Sequence, residues 1–130
     1  MSYAVTSTAK EEYALQERCA NRAAENFKRD YGTFGVINTD DGQIGKVYRN
    51  HYNKRLNKCF ELVTYVNAPS DKDIPLLKAL TLIDVVDNDQ VATFVQYVFE
   101  DKSPVSCFIF GKACKSEDEW ELLISPYMNE

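Results

Sequence analysis

The chain has little of the chemistry on which most enzymes and metal sites depend. Its 130 residues include a single histidine, His51, and no Cys-x-x-Cys pair, which disfavours the usual tetrahedral zinc site. It contains no P-loop, dinucleotide-binding glycine motif, G-x-S-x-G or H-E-x-x-H. No apolar run approaches the roughly 20 residues that span a bilayer. We therefore predict no catalytic residues, no metal, no cofactor and no transmembrane segment.

The charge of the chain is acidic and unevenly distributed. Twenty acidic residues face fifteen basic ones, for a net charge of −5, which disfavours nucleic acid as the main partner. Five of the basic residues lie within 46–58, a stretch that contains no acidic residue. The other ten therefore face all twenty acidic residues. Such an acidic body suits a cationic protein partner.

Capping patterns predict a helix at each end of the chain. Thr8 and Glu11 form a capping-box pattern, and apolar residues then recur at spacings of three and four up to Tyr31. This pattern predicts a first helix over residues 8–31. Ser116 and Glu119 form a second capping box, which predicts a C-terminal helix.

Strands are predicted between the two helices. Residues 59–66, 76–86 and 91–100 are rich in β-branched and aromatic side chains, and 47–52 and 105–110 are shorter candidates. A tight turn at 40–42 separates two further short strands, and residues 76–82 also fit a helical period. Strands and helices do not alternate, which disfavours a parallel, doubly wound sheet. We predict one α+β domain over residues 1–130, with residues 1–7 flexible. Its antiparallel sheet has four to six strands, and both helices pack on one face.

The four cysteines are spaced for two disulfides. Cys107 and Cys114 flank a predicted reversal at Gly111, which brings their Cα atoms toward the ~5.5 Å of a bridge. Cys19 lies on the apolar stripe of the first helix, and Cys59 opens the strongest strand. Three pairings exist in principle. We predict Cys19–Cys59 and Cys107–Cys114, with four reduced cysteines in a cytosolic protein as the alternative.

Disulfides predict the compartment. They persist in oxidising surroundings, which favours a periplasmic or secreted protein over a cytoplasmic one. Residues 1–9 have neither the basic region nor the apolar core of a signal peptide. We interpret the chain as a mature segment from which a leader was removed, with a cytoplasmic protein as the alternative.

One string carries a resemblance. Residues 51–60 have the sequence HYNKRLNKCF. This string resembles the HYN-x-x-LN-x-CF signature of a group of small, functionally uncharacterised bacterial exported proteins and lipoproteins. That group has a preceding helix with a cysteine and a closing C-x-S-x-x-E-aromatic segment ending in PYM, which correspond to residues 19–27 and 114–128. The resemblance implies export and disulfides and supplies no activity.

A basic and aromatic segment is the candidate binding site. Its members are Lys46, Tyr48, Arg49, His51, Tyr52, Lys54, Arg55 and Lys58. Basic and aromatic side chains line single-stranded nucleic-acid grooves, and they also suit phosphate groups or an acidic protein. A solvated strand face is the simpler interpretation.

His51 is the candidate base of an enzyme, because its side chain titrates near neutrality. A nucleophilic pair with Cys59 requires the chain to turn between the two residues and fails if Cys59 is oxidised. The simpler interpretation is that His51, Tyr52 and Asn53 tie a bend to neighbouring backbone. A calcium site at 87–89 does not match the EF-hand pattern of ligands and glycine.

Three functional hypotheses follow. The leading one is a non-enzymatic extracytoplasmic binding protein, of the inhibitor or immunity type, for a basic protein partner. The first alternative is a cytosolic binder of nucleic acid or an anionic ligand through residues 46–58. The second alternative is an enzyme that uses His51.

Overall fold

A computed structural model describes residues 8–98 and 104–130. The described elements, in chain order, are α1 (Ala9–Asp30), β1 (Gly35–Thr39), β2 (Gly42–Asn53), β3 (Lys58–Pro69), β4 (Leu77–Asp84), β5 (Asp89–Tyr97), β6 (Ser106–Ile109), β7 (Lys112–Ala113) and α2 (Glu117–Met128). The strands form one sheet in which each pairs antiparallel with the next. This arrangement confirms the α+β class and the antiparallel sheet.

The predicted strand count is too low. The structure describes seven strands, whereas the sequence predicted four to six. The additional strand is β7, whose two exposed residues carry no hydrophobic pattern. The predicted flexibility of residues 1–7, and the end of the predicted strand 91–100 beyond residue 98, lie outside the described residues.

Helix α1 begins at the predicted capping box. The Thr8 hydroxyl accepts a hydrogen bond from the Glu11 N–H, and the Glu11 carboxylate accepts one from the Thr8 N–H. These reciprocal bonds satisfy two backbone donors that the first turn leaves free. Ser116 caps α2 by accepting a hydrogen bond from the Glu119 N–H.

The prediction that both helices pack on one face is wrong, because they lie on opposite faces of the sheet. Cys59 and Phe60 are neighbours in β3, so their side chains point to opposite faces. Cys59 is bonded to Cys19 of α1, whereas Phe60 packs in a core cluster with Trp120 of α2. Residues 59–61 and 82–85 are buried in unbroken runs, so both faces of the sheet are covered at these positions.

Each helix therefore has its own core. The core under α2 consists of Phe60, Leu80, Leu82, Ala92, Phe94, Ile109, Trp120, Ile124 and Met128. Two smaller clusters under α1 contain Cys19, Ala23, Cys59 and Val85, and Phe27, Val63 and Ile83. Neither described helix is long and apolar enough to cross a membrane.

Both predicted disulfides are present. Cys19–Cys59 joins α1 to the start of β3 with a Cα–Cα distance of 5.4 Å. Cys107–Cys114 joins β6 to the segment after β7 with a Cα–Cα distance of 5.0 Å. The chain reverses between the second pair at Gly111, where φ is +80°. All four cysteines of the chain are therefore oxidised.

Candidate functional site

A cavity lies beside α1, above the outer edge of β2. It has a volume of about 830 Å³. Its lining consists of Ala24, Phe27, Lys28, Gly32, Thr33, Phe34, Tyr48 and Asn50. We call this cavity the helix–edge groove, because a helix forms one wall and a strand edge forms the other.

Aromatic rings form the apolar part of the helix–edge groove. The Phe27 ring lies 4.6 Å from the Tyr48 ring and stacks on the Tyr31 ring at 5.4 Å, measured between centroids. Phe34 meets Phe27 and Tyr48 edge-on, at 6.0 and 5.7 Å. Phe27 is buried, but Phe34 remains 58% exposed. A large apolar ring is therefore fixed by its neighbours and still open to a ligand.

Local sequence explains why the groove is open. Ala24, Phe27 and Lys28 lie on one side of α1 because residues three and four apart are neighbours on a helix. The small side chain of Ala24 leaves space above β2. Gly32 follows the helix with φ of +82°, and its N–H bonds to the Phe27 and Lys28 carbonyls. This stop directs the chain toward Phe34, which closes one end of the groove.

The charge of the groove is opposite in sign to that of the whole chain. Lys28 is the one charged side chain in the lining, which contains no carboxylate, thiol or imidazole. The chain itself carries a net charge of −5. The groove is therefore suited to hold an apolar group with a neighbouring negative charge.

A buried carboxylate lies beneath α1, next to the groove. Glu61 is fully buried, and neither of its carboxylate oxygens has a hydrogen-bond partner among the described residues. Burial, with a smaller contribution from the charge of Asp30, raises the pKa of Glu61 to about 7. The sequence does not reveal that Glu61 is buried, because an acidic residue in an alternating strand pattern indicates a solvent-facing position.

The structure does not bring the predicted binding residues onto one face. Alternation along β2 directs Lys46, Tyr48 and Tyr52 toward α1, but Arg49 and His51 toward α2. Only Tyr48 of this set lines the helix–edge groove. Arg49 lines a separate cavity beside α2.

Most of the basic side chains in the segment have partners elsewhere in the fold. Three form ion pairs: Lys54 with Glu12 at 2.8 Å, Arg55 with Glu130 at 2.7 Å, and Lys58 with Asp84 at 2.7 Å. Lys46 Nζ donates to the Tyr31 carbonyl at 2.8 Å. The acidic partners are distant in sequence, so the stretch looks more uniformly basic in the sequence than it is in the fold.

A pair of His51 with Cys59, which a thiol enzyme would require, is not formed. Cys59 is oxidised, and its Cα partner across the β2–β3 ladder is Tyr52, whereas His51 pairs with Phe60. The His51 and Cys59 side chains therefore point to opposite faces of the sheet. The His51 Nε2 is buried and has no hydrogen-bond partner among the described residues.

Residues of the string 51–60 form hydrogen bonds that join separate parts of the fold. Asn53 is fully buried, and its Nδ2 donates to the carbonyls of Pro126 and Tyr127 at 2.9 and 3.2 Å. Its Oδ1 accepts a hydrogen bond from the Leu56 N–H at 2.9 Å. Asn53 therefore joins the β2–β3 turn to the end of α2. The Tyr52 hydroxyl bonds to the side chain of Asn57 in the same turn.

Acidic side chains flank the opposite end of the sheet. Asp40 and Asp41 occupy the β1–β2 turn, and Asp71 and Asp73 occupy the β3–β4 loop. Ser70 joins the two loops, because its N–H donates to the Asp41 carbonyl at 2.7 Å. In the parts of the chain that the structure describes, no three metal-ligating side chains come together.

No protein-family model, curated protein or solved structure matches the chain. The resemblance of residues 51–60 to an exported group therefore stays a prediction.

Proposed function

We propose that this protein is a non-enzymatic, extracytoplasmic binding protein and that another protein docks in the helix–edge groove. The exposed ring of Phe34 carries this proposal, because it lies beside two packed rings in a lining without a carboxylate, thiol or imidazole. Fixed aromatic anchors in concave sites dominate protein recognition. A disulfide-bonded scaffold with an apolar groove is suited to binding.

The two disulfides support a location outside the cytoplasm. Both predicted pairs have bridging geometry, and disulfides are rare where glutathione and thioredoxin keep thiols reduced. We expect no free thiol in protein from its native compartment. Mass spectrometry after alkylation, with and without reductant, counts the free cysteines. Four free thiols would place the protein in the cytoplasm and contradict this part of the proposal.

Two tryptophan variants test the groove. Ala24→Trp fills the groove wall, whereas Arg22→Trp adds the same side chain at an exposed position on the far side of α1. Each oxidised variant is immobilised and exposed to the exported proteins of the source organism. We expect partner capture to be lost with Ala24→Trp and retained with Arg22→Trp. Capture that survives Ala24→Trp would show that the groove is not the binding site.

A basic protein is a second candidate partner, at a separate surface. The observation that favours it is the pair of acidic loops, in which Asp40, Asp41, Asp71 and Asp73 are accompanied by one basic residue, Lys72. Such a field steers cationic proteins and is screened by salt. This surface suits an inhibitor or immunity-type protein.

Calorimetric titration tests this second candidate. A lysozyme serves as the basic protein, at low and high salt. We expect binding at low salt that weakens at high salt and is lost when the four aspartates are changed to asparagine. Ala24→Trp should leave this binding unchanged, which separates the two surfaces. Absence of binding to lysozyme and to basic exported proteins of the source organism would exclude this candidate.

A further inference from the structure

We infer that the open edge of β2 accepts an extended segment of the partner protein as an additional antiparallel strand beside α1. This inference rests on the proposed binding function and specifies how the helix–edge groove is occupied. The occupant is a strand of the partner protein that carries an apolar side chain and a carboxylate on the same face.

The outer edge of β2 is only half covered. β1 pairs with β2 from Gly42 to Lys46, where Gly35 is the last partner. β3 pairs with β2 along its full length, to Asn53. The outer edge over residues 47–53 therefore has no neighbouring strand in the described sheet. Seven residues are enough for a short additional strand, because each rises about 3.3 Å.

The backbone orientation identifies which groups are free. The Ser70 N–H bonds to the Asp41 carbonyl, so Asp41 faces β3. Along an antiparallel strand, the backbone N–H and C=O groups of successive residues point alternately to the two neighbouring strands. The β2–β3 register has no shift that would interrupt this alternation. The N–H and C=O groups of Tyr48, Asn50 and Tyr52 therefore point away from β3. Within residues 8–98 and 104–130, none of these six groups has a hydrogen-bond partner.

The open edge and the aromatic groove form one site. Tyr48 and Asn50, which present outward backbone groups, also line the groove with their side chains. In an antiparallel pair, directly opposite residues place their side chains on the same face. Residues of an added strand that pair with Tyr48 and Asn50 therefore direct their side chains into the groove. Strand addition uses backbone bonds for affinity and such pockets for specificity.

The lining of the groove determines the chemistry of the occupant. A bulky apolar side chain fits against Phe34 and Tyr48, which form the ring cluster with Phe27. Lys28 is the one charged side chain in the lining and complements a carboxylate two residues away on the added strand. Residues two apart in a strand lie on the same face.

A second copy of this chain is a poorer occupant. A twofold pairing of the same edge repeats Lys28 on both sides, and it also repeats the exposed Arg49. Like charges then lie near one another without a carboxylate in either groove lining. A partner strand that carries a carboxylate avoids this repulsion.

Amide hydrogen exchange of the free, oxidised protein tests the edge itself. We expect the N–H groups of Tyr48, Asn50 and Tyr52 to exchange faster than those of Arg49 and His51, which face β3. Uniformly slow exchange that depends on protein concentration would show that a second copy covers the edge. Uniformly slow exchange at every concentration would show that the edge is covered within the chain. Either result overturns the inference.

A blocked heptapeptide, TVFTEVT, tests the occupant. Its phenylalanine and glutamate lie on the same face of an extended strand. We expect this peptide to slow exchange at the outward amides. N-methylation of the phenylalanine and glutamate removes hydrogen bonds to β2 and should weaken binding at least about tenfold. N-methylation of the two neighbouring residues, whose N–H groups face solvent, should leave affinity nearly unchanged.

A charge exchange tests the role of Lys28. Replacing the peptide glutamate by lysine should weaken binding severalfold, and Lys28→Glu should restore it. Equal effects of the two N-methylation patterns, or no binding of TVFTEVT, would overturn strand addition. Neither result affects the proposed function, which Ala24→Trp tests separately with the natural partner.

Discussion

Asn50 lies directly opposite Glu61 in the β2–β3 pair, yet its Nδ2 donates to the Sγ of Cys19 at 3.9 Å. The Glu61 carboxylate has no hydrogen bond among the described residues. A charged carboxylate in such surroundings loses its hydration without compensation, so burial favours the protonated form. Asn50 also lines the helix–edge groove, so the groove and the buried acid are neighbours.

The raised pKa of Glu61 predicts that the protein loses stability as pH rises. The pKa is about 7 in the folded protein and near 4.5 in the unfolded chain. Between these values the folded protein holds a proton that the unfolded chain releases, so the free energy of unfolding falls with increasing pH. The stabilisation that comes from this difference in pKa is fully present below pH 4.5 and is lost above pH 7, which changes the free energy of unfolding by about 3 kcal/mol. Urea unfolding at pH 5 and pH 8 measures it.

The control is Glu61→Gln, which keeps the shape and cannot ionise. We expect the loss of stability between pH 5 and pH 8 to be smaller in this variant by about 2–3 kcal/mol. Equal pH dependence in both proteins would show that Glu61 does not control it.

Removal of the Cys19–Cys59 disulfide should destabilise the protein more than removal of Cys107–Cys114. The first bridge joins residues 40 apart and the second joins residues 7 apart. Loop-closure entropy predicts losses of about 4 and about 2 kcal/mol, respectively. Paired cysteine-to-alanine variants, compared by urea unfolding, measure both. A larger loss for the second pair would contradict the entropic explanation.

Asn53→Ala should release the end of α2. The side chain of Asn53 is fully buried and makes three hydrogen bonds, to the carbonyls of Pro126 and Tyr127 and to the N–H of Leu56. Its removal leaves buried carbonyls without donors, so we expect a loss of about 2–3 kcal/mol. Amide exchange in α2 should also accelerate. The control Asn21→Ala changes an exposed residue of α1 and should stay within about 0.5 kcal/mol.

The protein should bind heparin weakly, and reversal of charge in its basic segment should change this little. Arg55 and Lys58 are ion-paired with Glu130 and Asp84, and Arg49 lies in a different environment beside α2. A triple variant with glutamate at these three positions is compared with the native protein on heparin and single-stranded DNA. Strong retention of the native protein that the variant loses would favour the nucleic-acid alternative.

Local interactions explain which parts of the fold were predictable. The Thr8–Glu11 and Ser116–Glu119 caps involve residues three apart, and both helices begin where these patterns place them. The Cys107–Cys114 pair is only seven residues apart, so its pairing follows from one reversal. The Cys19–Cys59 pair spans 40 residues, but it was predicted because Cys19 lies on an apolar stripe that must face the sheet.

The functional site was less predictable. The uniform positive charge of segment 46–58 predicts a binding site, but three of its basic residues form ion pairs with acidic residues as far away as Glu130. The helix–edge groove combines residues of α1, the following connection and β2, and only Tyr48 of the predicted set belongs to it. No motif connects these residues along the chain, so only the packing of the helix on the sheet brings them together.

The sequence by itself determined the two helices, the antiparallel sheet and two bridgeable cysteine pairs, because caps, periodicity and short connections act over a few residues. Only the tertiary structure decided that the helices lie on opposite faces, that Glu61 is buried without a partner, and that half of the β2 edge is open. These features depend on which face of β3 each helix covers and where β1 ends. Such contacts join residues tens of positions apart, and a local pattern does not specify them.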